Sequence, residues 1–133
     1  MHKKVPVVLR FRDGHIEKCM ASPYLSHTAF TIQVLSEDYD VHRVAFKDLK
    51  AVFFVKNLDS EGHEPIDLTA DHPGGPKAGK TVDVTFFDGE SIRGKVLGSL
   101  KEGCGFFLLP ANPEDNNDKI FVVRDALKEL KEL

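Results

Sequence analysis

The chain has 133 residues and a formal net charge of -3, with 41% hydrophobic and 29% charged residues. That length allows one ordinary domain or two very small ones and excludes a large α/β enzyme. The composition excludes a disordered chain, and no apolar run is long enough to span a bilayer.

The N-terminus turns apolar at Val5-Pro6-Val7-Val8-Leu9, but Arg10, Arg12 and Asp13 end that run too early for a secretion signal. With only Cys19 and Cys104 there is no disulfide framework, so the expectation is a reducing cytoplasm with free thiols. Val7, Leu9 and Phe11 are apolar at every second position, and the run stops at Asp13-Gly14. This predicts a strand with one buried face, then a tight turn in which Gly supplies a positive φ.

The same pattern returns at Val82, Val84 and Phe86 before Asp88-Gly89. The echo continues between Ala29–Leu35 and Gly105–Pro110. It continues again between Val44–Val52 and Phe121–Leu130, with a one-residue shift. Self-similarity at this distance predicts about five short strands in each half. Rolling each half into a small barrel shortens its exposed edges. The expected fold is all-β, two tandem five-stranded barrels at 1–56 and 80–133, joined by an acidic Gly/Pro-containing linker at 57–79. The ten Phe divide five to each half, which predicts two separate cores built from Phe11, Phe30, Phe46, Phe53 and Phe54 and from Phe86, Phe87, Phe106, Phe107 and Phe121.

Two segments need arbitration. Pro65-Ile66-Asp67-Leu68 is a candidate short ordered piece inside the linker. Ala126, Leu127, Leu130 and Leu133 have helical spacing, but the counterpart Ala51–Val55 is β-branched and aromatic. The expectation is a tight turn at Asp125-Ala126-Leu127 followed by a strand.

These residues resemble an Sm-like, more broadly SH3-like, barrel occurring twice. Gly94, five residues after Gly89, matches the glycine at which the second strand of Sm proteins bends; Cys19 takes that place in the first half. Asp48–Val55 and Phe106–Pro110 resemble a small bacterial family of uncharacterised paired barrels. The Sm resemblance implies RNA binding through two loops. In one, Ser99–Gly105 has no Asn. In the other, Lys47-Asp48 and Arg124-Asp125 keep a cation but place a carboxylate where a phosphate would approach.

Gly74–Thr81 satisfies G-x-x-x-x-G-K-[ST], but the segment that follows alternates as a strand, whereas a phosphate loop opens a helix. The six His lack metal-binding spacing, and Cys104 has no identifiable base. No catalytic set and no cofactor is expected, so the chain reads as not an enzyme. Charge is uneven: +3 over residues 1–56, -4 over 57–79 and -2 over 80–133. Lys4, Arg10, Arg12, Lys47 and Arg124 are candidate contacts for a partner or nucleic acid; edge protection by charge is the plainer reading of Arg10 and Arg12. The expectation is a protein-interaction module with a protein partner and no membrane. Binding of RNA or single-stranded nucleic acid is the alternative, and nucleotide binding at Gly74–Thr81 a remote one. Homo-oligomers through barrel edge strands are a further expectation.

Overall fold

The computed structural model describes residues 4–22, 30–58, 66–67, 80–97, 103–109 and 116–132. The protein is all-β, and the described residues contain no α-helix. The first half carries β1 (Val5–Phe11), β2 (Ile16–Ala21), β3 (Thr31–Leu35), β4 (Val41–Ala45), a 3-10 turn (Phe46–Asp48) and β5 (Leu49–Val55). A two-residue strand β6 (Ile66–Asp67) follows. The second half carries β7 (Thr81–Phe86), β8 (Ser91–Leu97), β9 (Gly105–Leu109), β10 (Asn117–Val123), a 3-10 turn (Arg124–Ala126) and β11 (Leu127–Glu132). The turn-then-strand expectation at the end of the chain holds, as does the short piece at Ile66–Asp67.

Ten strands form one open antiparallel sheet in the order β11-β7-β8-β9-β10-β5-β1-β2-β3-β4, with β6 joined in parallel to β8. Within each half the fifth strand lies on the first: β5 on β1, and β11 on β7. The halves meet where β10 pairs with β5, through Lys119–Phe54, Ile120–Phe53, Phe121–Val52 and Val122–Ala51.

The repeat is visible in backbone detail. In the first turn the Gly14 amide donates to the Phe11 carbonyl (3.1 Å) and the Phe11 amide to the His15 carbonyl (3.0 Å). In the second, Gly89 donates to Phe86 (2.9 Å) and Phe86 to Glu90 (2.8 Å). Gly14 and Gly89 have φ of 101° and 94°, the left-handed geometry expected of Asp-Gly. Both fifth strands break register at the same place, so Lys50 and Lys128 are the extra, bulged residues.

The inward residues read from alternation are in place: Val7, Leu9, Val82, Val84 and Phe86 are buried, and Phe11 is partly so. Two Phe are not. Phe30 is 81% and Phe87 65% exposed. Phe30 precedes β3, because the structural counterpart of Gly105 is Thr31: both open a strand and pair with the last residue of the next one, Ala45 or Val123. The sequence echo placed that match two residues early. Phe87 lies in the turn after β7, where its amide donates to the Ala126 carbonyl (3.1 Å).

The two separate cores expected from the Phe count are also corrected. The buried residues form one cluster running through both halves. All seven residues of β5 are buried, because β5 is covered on both faces. Phe121 lies 5.2 Å from Phe46, and Phe107 lies 6.0 Å from Phe54, ring centre to ring centre, so aromatic contacts cross the join.

Candidate functional site

The five cations proposed from sequence do not form one surface. Arg10, on β1, lays its guanidinium 4.5 Å above the Phe53 ring, and its Nη1 is 3.5 Å from Glu90 Oε2 in the second half. Its face of β1 looks toward the second half because Val8 and Arg10 share a side with Phe53 and Ala51. Arg12 and Lys47 do come together: Arg12 Nη1 donates to the Lys47 carbonyl (3.4 Å), and the Arg12 amide to the Asp48 carbonyl (2.9 Å). Both side chains are exposed, as is Lys4. Arg124 donates from Nη1 to the Gly103 carbonyl (2.6 Å). The 3-10 turns align Lys47 with Asp125 and place Arg124 at the position of Phe46, so the two loop cations are one position out of step.

Lys50 is the buried charge that the sequence reading passed over. It is 8% exposed. Its Nζ reaches Asp88 Oδ2 and Glu90 Oε1, each at 2.8 Å, and stands 4.7 Å from the centre of the Phe86 ring. A lysine in the first half thus holds the turn of the second. The available signal was a single cation inside Leu49-Lys50-Ala51-Val52-Phe53-Phe54-Val55. The hydrogen bond from Lys50 is the main reason the Asp88 carboxyl titrates below its ordinary 3.8. Lys50→Met keeps the apolar stem and removes both ion pairs. The carboxylates are half-exposed and rehydrate, so the expected cost is about 1–2 kcal/mol at neutral pH. Because the folded pKa of Asp88 is lowered, its share of this stabilisation exists above the unfolded value and disappears as pH falls through the folded one. Urea midpoints of wild type and variant should therefore converge below pH 3.8.

Lys119 is a second seam cation, with Nζ 4.8 Å from the Phe54 ring centre and 4.7 Å from that of Phe107. Burial pulls its pKa below the usual lysine value. Neither cysteine is in a disulfide. Burial pushes Cys19 up to about 12 and also raises Cys104, so neither is poised as a thiolate. Among the described residues no three His, Cys, Asp or Glu side chains converge on a metal position. Residues 74–79 of the phosphate-loop pattern lie outside the described residues, as do 99–102, His2, His27, His63 and His72. The pattern's last residue, Thr81, opens strand β7.

The remaining candidate is the rim of the sheet. Among the described strands, β4 and β11 each pair on one side only. Beside and on β4 stand Tyr39 (84% exposed) and Val41 (56%). Tyr39 holds a left-handed φ of 65° in the β3–β4 turn. Five of the six β11 residues are exposed, four of them Lys or Glu.

No curated protein and no solved structure matches the chain. A family match covers residues 1–133, and the chain belongs to that family, the family of unknown function DUF6982.

Proposed function

We propose that the protein is a non-catalytic interaction module of the bacterial cytoplasm. In this reading residues 1–56 and 80–133 are two Sm-like/SH3-like barrel units joined by the linker at 57–79. They present the β4 edge to an extended segment of a protein partner. The observation that carries the reading is the contrast between the two edges of the sheet. β11 is lined with Lys and Glu, which blunts a strand edge. β4 keeps Val41 and the neighbouring Tyr39 in solvent, with its outer backbone groups unpaired by any described strand. An extended peptide gains main-chain hydrogen bonds on such an edge and side-chain contacts at alternate positions.

The test is peptide display against the immobilised full chain, followed by amide-shift mapping of the enriched peptides. Binding should perturb β4 amides and weaken roughly tenfold, about 1.4 kcal/mol, in Tyr39→Gly/Val41→Thr. Glycine accepts the left-handed φ at residue 39, so the turn survives. Enriched peptides that map away from β4, or none at all, would reject the reading. Nucleic-acid binding is the second reading, supported by the exposed Lys4, Arg12 and Lys47. Its signature would be salt-sensitive oligonucleotide binding lost on removing those charges.

A further inference from the structure

The seam between the halves is made by the fourth strand of one half and the fifth strand of the other. The sheet's outer edges, β4 and β11, are the other fourth and fifth strands. Repeating the seam between molecules would lay β11 of one copy along β4 of the next. The chain therefore contains both a working version of this interface and the two surfaces on which it would recur.

The internal registers fix which residues correspond. Val7 and Val82 pair with Phe54 and Glu132, and Leu9 and Val84 with Val52 and Leu130. Ala51 thus corresponds to Glu129, and Phe53 to Lys131. The β3–β4 and β9–β10 registers likewise match Gln33 with Phe107 and Arg43 with Phe121. At the seam these positions are apolar and covered: Ala51 is 0%, Phe53 3% and Phe121 2% exposed. Phe107 and Phe121 pack edge to face with ring centres 5.0 Å apart. At the outer edges Gln33, Arg43, Glu129 and Lys131 are all exposed. Three β11 charges are already engaged locally, Lys131 and Glu129 with each other (3.7 Å) and Glu132 with Lys80 (3.8 Å). The seam register carried outward would set Lys131 against His42, Glu129 against Val44 and Arg43 against Leu130. Each would have to be stripped of water without an opposite charge directly across.

We infer that the seam is a docking surface used once, whose partner is the chain's own other half. Ala51, Phe53, Phe107 and Phe121 specify it. Gln33, Arg43, Glu129 and Lys131 prevent a second copy from extending the sheet. The protein is accordingly a single-chain unit in solution. This is independent of what β4 binds, because a heterologous peptide need not repeat the seam.

The experiment is light scattering on the full chain, alone and with the seam chemistry moved outward. Wild type should show the mass of one chain from micromolar to near-millimolar concentration. One variant carries Glu129→Ala and Lys131→Phe, the other Gln33→Phe and Arg43→Phe. Mixing the two should give a species of two-chain mass. Single variants, Lys131→Phe and Arg43→Phe, repeat the mixture if either double variant fails to fold. Self-association of wild type would overturn the inference. So would folded variants, verified by cooperative unfolding, that stay at one-chain mass when mixed.

Discussion

Phe121→Ala is expected to cost about 3–5 kcal/mol, the range for emptying a buried aromatic site. The ring is 2% exposed and spans the seam, sharing a face with Val52 and contacting the rings of Phe46 and Phe107. It is the outward residue of its own half and an interior residue of the whole protein. Marginal stability makes such a loss a large fraction of the total. Denaturant unfolding should show a lower midpoint at an unchanged slope. The counterpart substitution Arg43→Ala removes an exposed side chain and should stay within about 0.5 kcal/mol.

Gly105→Ala is expected to cost about 3 kcal/mol, at the top of the usual range for overpacking. A Cβ there would stand 2.1 Å from the Val122 carbonyl oxygen and 2.8 Å and 2.9 Å from two atoms of the Phe121 ring. The carbonyl cannot turn away, because Gly105–Val123 and Phe106–Val122 are cross-strand pairs. Combining Gly105→Ala with Phe121→Ala should cost less than the sum, since the ring contacts vanish and the carbonyl contact remains. Thr31, the counterpart, is exposed and has Arg43 at the register position of Phe121, so Thr31→Ala should fall within about 0.5 kcal/mol by the same denaturant assay.

Local structure was legible in the sequence where local chemistry decides it. Asp13-Gly14 and Asp88-Gly89 announced their turns, and period-2 alternation picked out Val7, Leu9, Val82, Val84 and Phe86 as inward. Alternation says which residues share a face, but not what covers the opposite one. That is why alternation alone places Phe107 and Phe121 in a private second core and leaves the outward face of Arg10 open. Two unbroken runs, Ala51–Val55 and Ile120–Val123, carried the missing signal, because a strand covered on both faces loses its alternation. Lys50 finds its carboxylates 38 and 40 residues downstream, a separation that no local pattern encodes. Phe30 was misplaced by a two-residue slip in matching the halves. Gly105 looked like a loop glycine because the ring and carbonyl that crowd it belong to another strand. The edges β4 and β11, which carry the candidate site, became identifiable only once the pairing of β5 with β10 fixed the strand order.

Amide hydrogen exchange on Phe121→Ala tests the seam between β5 and β10 most directly. If β5 and β10 are neighbours in one continuous sheet, amides of Val52, Phe53 and Phe54 should lose protection together with those of Ile120 and Val122. Protection lost in β9 and β10 while β1 and β5 exchange as in wild type would contradict it, and would mean two halves that fold without each other.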